Sequence, residues 1–160
     1  MKGVTELAKA DKRRADGPGA RTVTESTTML LIAAGRLAQR RFEAALAEQN
    51  LTLRHIGAIG HLARNPELSY SDLARRARVT PQSMHATIGQ LVDLGAVVTE
   101  TRGRASYPRL TERGHELLAF AADASSACDE TLGIEESVVA ELREELKKVA
   151  LQSFADESLS

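Results

Sequence analysis

The chain has 160 residues, which suits one domain with a substantial buried core. Only 3% of the residues are aromatic and none is tryptophan, so leucine, valine, isoleucine and alanine must form the core, a composition that favours helices. The first residues lack a secretory leader pattern, and no apolar run reaches the roughly 20 residues of a membrane span. We therefore expect a cytoplasmic protein with no membrane association.

The formal net charge of −1 conceals an uneven distribution along the chain. Residues 1–70 carry a net charge of +4 and residues 71–115 a net charge of +3, whereas residues 116–160 carry 11 acidic against three basic side chains. Attraction to a polyanion depends on the local field and not on the total charge. The first 115 residues therefore permit binding to nucleic acid.

The polar, basic segment over residues 1–25 contains Gly17-Pro18-Gly19, which interrupts any helix. We predict a mobile arm there, either an unstructured tail or a segment that contacts DNA or a partner subunit. From Ser26 onward, apolar residues recur at three- to five-residue steps, which predicts a helix over 26–49.

A second helix is predicted to begin after Thr52, a suitable N-cap, and to stop before Pro66. Gly57 and Gly60 lie inside it, and each costs about 1 kcal/mol relative to alanine in a helix interior. We interpret them as positions of close packing against a neighbouring helix.

A short helix, a turn and a second helix are predicted next. Leu68–Tyr70 is interpreted as an extended link, and Ser71 precedes the short helix. Thr80 is the predicted N-cap of the second helix, with Pro81 in the first helical position that proline prefers. The predicted apolar face of this helix comprises Met84, Ile88, Leu91 and Val92, Gly95 closes it, and strands over 96–101 and 107–110 follow, joined by Arg102–Ser106.

This order of elements is a helix-turn-helix with a hairpin wing, a module that binds duplex DNA. Thr111 is the predicted N-cap of a further helix, and a last amphipathic helix follows Gly133. An apolar stripe at a chain end needs a covering partner, and a second copy of the chain is the simplest one. The stripe comprises Ile134, Val138, Leu142, Leu146 and Val149.

The sequence resembles the MarR family of winged helix-turn-helix transcription regulators over residues 26–151. The resemblance is carried by Leu73-Ala74, Val79, Ser83, Leu91 and Leu94-Gly95-Ala96-Val97, and by Leu110-Thr111-Glu112-Arg113-Gly114 after the wing. It implies a mainly α fold with a DNA-binding core over 52–110, dimerisation helices over 26–49 and 111–151, and a C-terminal tail over 152–160. It also implies a homodimer that binds a pseudo-palindromic operator.

The residues expected to face DNA follow from this resemblance. Gln82 can pair with adenine in the major groove, and Ser83 can bond a base edge or a phosphate. His85 is either a guanine or phosphate contact or an ordinary solvated residue. The expected DNA-binding set is Ser71, Arg75, Arg78, Thr80, Gln82, Ser83, His85, Ala86, Arg102 and Arg104.

Two departures from the family pattern affect these contacts. Many relatives carry an aspartate two residues before a wing arginine, which holds that arginine in place, and this hairpin has no aspartate. Many relatives also carry arginine where this chain has Ala86, so we expect a different preferred operator. Arg102 and Arg104 flank Gly103 and are predicted to project into an adjacent minor groove, unless the turn is simply a charged, solubilising one.

The resemblance also implies a small aromatic or acidic effector. The positions expected to line its site are Arg36, Arg40, Phe42, His55 and Ile59, although each of them equally well packs or faces solvent. Cys128 is interpreted either as a core residue or as a redox sensor. Because the histidines have no metal-binding spacing, we expect no metal and no cofactor.

The sequence thus predicts a regulator, most simply a repressor relieved by an effector. The alternative is a winged-helix protein-interaction module without specific DNA binding. A small enzyme is the remaining alternative, but no constellation for acid–base or nucleophilic chemistry is present, so we expect no enzymatic activity.

Overall fold

The computed structural model describes residues 23–156, with side chains described to residue 151. Its contacts divide the chain into two units, with the boundary between Leu37 and Ala38. The elements are a 3-10 turn over Val23–Glu25, then α1 (Thr27–Ala47), α2 (Leu53–Arg64), α3 (Tyr70–Ala77), α4 (Pro81–Asp93), β1 (Val97–Arg102), β2 (Ala105–Leu110), α5 (Glu112–Glu130) and α6 (Glu136–Asp156). This mainly helical chain with one small hairpin confirms the predicted fold class. The predicted arm lies outside the described residues except for the 3-10 turn.

Side-chain caps determine where the central helices begin. Thr52, Thr80 and Thr111 each accept a hydrogen bond from the backbone N–H three residues later, as the sequence predicts. The cap of α3 is Ser69, whose hydroxyl accepts from the Asp72 N–H, and not Ser71. The predicted extended link is therefore correct at Ser69, whose backbone is extended, and wrong at Tyr70, which is the first residue of α3.

The described part of the first unit, residues 23–37, consists of the 3-10 turn and the first half of α1. Four consecutive apolar side chains, Met29 to Ile32, are exposed there. Such a run of exposed apolar residues is unusual on a helix that meets only water.

The hydrophobic core lies in the second unit, where the end of α1, α2, α3, α4, β1 and α5 meet. On α4, Met84, Ile88 and Leu91 are completely buried, but Val92 is 42% exposed, so its predicted place on the apolar face is wrong. Val92 lies one position past Leu91, at the edge of the buried face, where the helix turns toward solvent. The other large side chains that are fully buried are Leu46, Ile59, Leu62, Leu73, Thr87, Val97, Pro108 and Leu117.

The wing is an antiparallel hairpin in which Val97 pairs with Leu110 and Arg102 with Ala105. The strands extend further than predicted, so only Gly103 and Arg104 form the turn, in place of the predicted five-residue connection. Gly103 has a φ of +64°, the left-handed backbone that a tight two-residue hairpin needs.

The interpretation of Gly57 and Gly60 as close packing sites is wrong. A Cβ atom at Gly57 would meet nothing within 4 Å, and one at Gly60 would meet only the Arg64 guanidinium at 3.8 Å. The close approach occurs instead at Gly114, in the first turn of α5, where a Cβ would overlap the Ala96 carbonyl oxygen and lie 2.6 Å from Leu110 Cδ1. Gly114 therefore allows α5 to pack directly against the base of the wing.

Two glycine substitutions test this packing. Gly114→Ala should destabilise the fold by about 3 kcal/mol or more, because the new methyl group overlaps a backbone oxygen that cannot move away. Gly57→Ala is the matched control and should stabilise the protein by about 1 kcal/mol, since it improves helix propensity in open space. Chemical denaturation of both variants measures these changes, and a Gly114→Ala variant as stable as the unchanged protein would contradict the packing.

The last helix, α6, continues to Asp156 and so passes the predicted end of the dimerisation helix at residue 151. Val138, Leu146 and Val149 are exposed along one side of it, and Leu151 is exposed near its end on a different side. Within residues 23–156, no helix is both long enough and apolar enough to cross a bilayer.

Candidate nucleic-acid interface

The exposed face of α4 carries two polar side chains and one alanine. Gln82, His85 and Ala86 are exposed on it, while Met84 and Ile88 are buried on the opposite side. The three- and four-residue spacing places the exposed side chains along one line of the helix. This is the arrangement expected of a helix that inserts into a major groove.

The first turn of α4 is held by a hydroxyl pair. Thr80 Oγ1 accepts from the Ser83 N–H at 3.1 Å and donates to Ser83 Oγ at 3.0 Å. The Thr80 hydroxyl is therefore engaged in the cap, whereas Ser83 can still donate its own proton outward. Of these two predicted contacts, the geometry favours Ser83.

His85 does not stand alone on the helix surface. Its imidazole stacks on the ring of Tyr70, with ring centroids 4.5 Å apart and planes 18° from parallel. The Tyr70 hydroxyl lies 2.9 Å from Thr99 Oγ1 on β1. The first residue of α3 therefore touches both the wing and α4, the predicted recognition helix that would enter the major groove. The sequence reasoning missed this link.

The predicted DNA contacts of α3 are exposed side chains. Arg75 is 77% exposed but forms an ion pair with Asp72. Hydrogen bonding from Ser69, together with the charges of Arg75 and Arg76, lowers the pKa of Asp72, so this carboxylate stays ionised. Ser71 is exposed in the first turn of α3, and Arg78 is an exposed C-cap with a φ of +54°.

The two wing arginines have different surroundings. Arg102 donates from Nη1 to Glu67 at 3.0 Å and from Nη2 to Glu100 at 3.2 Å, with its guanidinium 5.5 Å from the centre of the Tyr107 ring. Within the described part of the chain, no hydrogen bond or ion pair is found for Arg104. The prediction that both arginines project outward therefore fits Arg104 better than Arg102.

Glu100 holds a wing arginine in this hairpin, which has no aspartate. It stands two residues before Arg102 and accepts a hydrogen bond from Arg102 Nη2 at 3.2 Å. The spacing is visible in the sequence, but the prediction considered only the shorter acidic side chain. The wing arginine is thus held after all.

Arg109 is the anchor of the wing, and sequence reasoning did not identify it. Its side chain is only 13% exposed and bonds Glu67 at 2.8 Å, Glu100 at 3.2 Å and the Pro66 carbonyl. The pKa of Glu67 is lowered mainly by the hydrogen bond that Arg109 donates to it. A carboxylate from the α2–α3 loop therefore ties β2 to the helical core.

This chain is similar in sequence and in structure to known proteins. A sequence model described as the MarR family matches residues 49–105. The HTH-type transcriptional repressor Rv2887 of Mycobacterium tuberculosis is 36% identical over 103 residues, which cover 62% of this chain and 74% of the repressor. The chain belongs to the MarR family.

Solved structures of MarR proteins support the same assignment. The Rv2887 structure in complex with DNA has a TM-score of 0.67 at 31% identity and covers 78% of this chain and 97% of that one. The Rv2887 complex with salicylic acid has a TM-score of 0.62 at the same identity and covers 96% of that chain. A MarR-family regulator from Rhodococcus, 21% identical with a TM-score of 0.69, shows the same fold. The curated relatives are transcriptional repressors by name.

The positions predicted for an effector site in this MarR protein have different surroundings. Ile59 is completely buried in the core, and Phe42 packs against that core. His55 is buried, its Nδ1 accepts from the Thr52 N–H at 3.2 Å, and its Nε2 therefore donates to Gln90 Oε1 at 2.8 Å. Arg36 and Arg40 lie on α1, on either side of the boundary between the two units.

A different groove lies between the second half of α1 and α5. Its volume is about 740 Å³, and its lining is mostly apolar. The Arg41 guanidinium donates to the Thr131 carbonyl at its rim, and Phe120 and Cys128 also line it. The remaining lining residues are Ala44, Ala45, Glu48, Asp123, Ala124, Ala127 and Thr131.

Metal binding has no support in the described residues. Within residues 23–156, no group of three histidine, cysteine, aspartate or glutamate side chains could hold a metal ion.

The stability of this protein should fall as the pH drops below about 6.5, the usual pKa of histidine. Burial, with smaller effects of Arg64 and Arg76, lowers the pKa of His61. The unfolded chain therefore takes up this proton first, which favours unfolding as the pH falls. The melting temperature should drop between pH 7 and pH 5, and His61→Gln should reduce that drop. If the melting temperatures of His61→Gln and of the unchanged protein depend equally on pH, the pKa of His61 is not lowered in the folded protein.

Proposed function

We propose that this protein is a homodimeric, sequence-specific DNA-binding repressor that a small aromatic acid releases from its operator. The observation that carries the proposal is the exposed face of α4, where Gln82 and His85 lie beside a capped helix start and next to an arginine-bearing wing. The relative Rv2887 has a structure in complex with DNA, which supports DNA binding by this chain.

Each predicted contact has a chemical role in this proposal. Gln82 offers an amide that can pair bidentately with adenine, and Ser83 offers a hydroxyl proton to a base or phosphate. Arg104 at the turn supplies a cation to the minor groove, whose negative potential rises where it is narrow. Ser71, Arg75 and Arg78 supply backbone contacts, and Ala86 supplies an apolar surface that fits a thymine methyl group.

A homodimer would place two such faces against one duplex. The apolar run over 29–32 and the exposed apolar side chains of α6 are suited to burial against a second copy. Two recognition helices in successive major grooves require half-sites about 34 Å apart, hence a pseudo-palindromic operator. An effector that changes this separation lowers the affinity for DNA.

The groove between α1 and α5 is our candidate effector site. Its apolar lining suits an aromatic ring, and Arg41 at its rim suits a carboxylate, since guanidinium pairs well with that group. Structures of Rv2887 contain salicylic acid and p-aminosalicylic acid, which combine a ring with a carboxylate. Arg36, Arg40, Phe42, His55 and Ile59 remain the residues that the sequence predicts for this role.

The first experiment is fluorescence anisotropy with a labelled duplex from the region upstream of the protein's own gene, with random duplex as competitor. A Kd of roughly 10⁻⁸ M or below that weakens steeply with salt and exceeds random DNA by about a thousandfold supports a specific regulator. If the operator does not lie upstream of the protein's own gene, selection of bound duplexes from a random library will identify the preferred sequence. If no duplex is preferred in that selection, the interaction-module alternative replaces the proposal.

The wing contact is tested by changing Arg102 and Arg104 to alanine together. Affinity should fall, and the slope of log Kd against log salt should decrease by about one for each phosphate that the variant no longer neutralises. Arg104→Ala alone should account for most of the change, because Arg102 is already paired with Glu67 and Glu100. Arg143→Ala on α6 is the control for removal of one arginine. An unchanged affinity and slope would rule out the wing role.

The effector site is tested with Arg41→Met, which keeps the bulk of the side chain and removes its charge. Salicylate should raise the melting temperature of the unchanged protein and weaken its binding to DNA. Both responses should largely disappear in Arg41→Met, while the Arg143→Met control keeps them. A full response in Arg41→Met would place the effector elsewhere.

A further inference from the structure

Tyr70 is the residue at which the recognition helix, the wing and the supporting helix meet. It is the first residue of α3 and is only partly exposed. Its ring stacks on His85 of α4, with centroids 4.5 Å apart, and its hydroxyl bonds Thr99 of β1 at 2.9 Å. One side chain therefore contacts two elements that must both face the same duplex.

The two contacts of Tyr70 have separate physical effects. A near-parallel stack restricts the rotation of the His85 imidazole and so reduces the ordering that DNA binding would otherwise require. The hydroxyl contact connects α3 to the middle of β1, where Thr99 pairs with Pro108 of β2. It therefore acts on the angle of the wing relative to α4.

The start of α3 is itself fixed, which makes Tyr70 a firm support. The Ser69 hydroxyl accepts from the Asp72 N–H at 3.2 Å and donates to the Asp72 carboxylate at 2.7 Å. Leu73, in the same turn, is completely buried. The backbone at Tyr70 is thus held by a cap on one side and by the core on the other.

We propose that Tyr70 is a positioning residue for DNA recognition, which orients His85 by stacking and sets the wing through its hydroxyl bond to Thr99. Tyr70 acts through these two neighbours and needs no contact with DNA of its own. The proposal rests on the DNA-binding function proposed above. It adds that His85 is a specific contact whose contribution depends on the aromatic ring beneath it.

The test separates the ring from the hydroxyl by two double-mutant cycles, measured as affinity for the selected operator. Tyr70→Phe keeps the stack and removes the hydroxyl bond, so it should weaken binding about threefold, as should Thr99→Val, and the double variant should be no worse than either. Thr101→Val, on the same strand, is the matched control and should leave the affinity unchanged.

The second cycle pairs Tyr70→Leu with His85→Ala. Tyr70→Leu removes both contacts and should weaken binding roughly tenfold, several times more than Tyr70→Phe. In the His85→Ala background, Tyr70→Leu should cost no more than Tyr70→Phe. If His85→Ala changes which base the protein prefers at one position of the operator, Tyr70→Leu should change the preference at the same position, and Tyr70→Phe should leave it unchanged.

A spectroscopic measurement on the DNA-free protein completes the design. The imidazole proton resonances of His85 should show an upfield ring-current shift in the unchanged protein and in Tyr70→Phe, and should lose it in Tyr70→Leu. Melting temperatures of all variants show whether weaker binding reflects unfolding. A folded Tyr70→Leu with unchanged affinity, or with a reduction independent of His85, overturns the proposal.

The outcomes also distinguish this proposal from the function on which it rests. If the unchanged protein prefers no duplex, the proposed function fails and the role of Tyr70 in recognition fails with it. If the unchanged protein binds its operator specifically but the effects of Tyr70→Phe and Thr99→Val simply add, the function stands and the positioning role is wrong.

Discussion

The junction around Thr111 holds the DNA-binding half of the molecule together. The Thr111 N–H donates to the Ala96 carbonyl at 3.0 Å, and its hydroxyl donates to the Gly95 carbonyl at 2.6 Å while capping α5. Gly114 then lets α5 lie against Ala96 and Leu110. The end of the recognition helix, both ends of the wing and the start of α5 therefore meet at one place, so none of them can move far without the others.

In the wing, acidic side chains lie beside the arginines and hold two of them. Glu67 and Glu100 keep two arginines in fixed positions, but each carboxylate also repels the phosphates that those arginines attract. Because Arg109 is nearly buried and Arg102 half-exposed, the two have different functions. Arg109 is structural, and Arg102 must exchange its carboxylate partners for phosphate if it binds DNA. Among the described residues, Arg104 at the turn has no carboxylate partner to exchange, unlike Arg102.

Local signals in the sequence were sufficient for most of the fold. The central helices were predicted from threonine caps, from Pro81 in the first helical position and from apolar periodicity. These signals were sufficient because they act within a few residues. The start of α3 was misplaced because serine is a good cap at either position 69 or position 71. In the structure Ser69 is the cap, and it also bonds the carboxylate of Asp72 three residues later. Gly57 and Gly114 look alike in a sequence, whereas their surroundings differ completely.

The candidate site was predictable in part. Exposure of Gln82 and His85 follows from helix periodicity, but the stack on Tyr70 and the anchoring of Arg109 join residues far apart in the chain. The effector residues were chosen from helix position alone, which cannot show that Ile59 belongs to the core or that both nitrogens of His55 are engaged.

The strand pairing of the wing limits how this surface can evolve. Side chains alternate between the two faces of a strand, so a single residue inserted into the paired part of β2, and not into the turn, would reverse the faces of the residues on one side of it. Tyr107 would leave Arg102, and Arg109 would leave the carboxylates that hold it. The wing can therefore lengthen through a longer turn, through a bulge or by whole pairs of residues, but not by one residue added to a single paired strand.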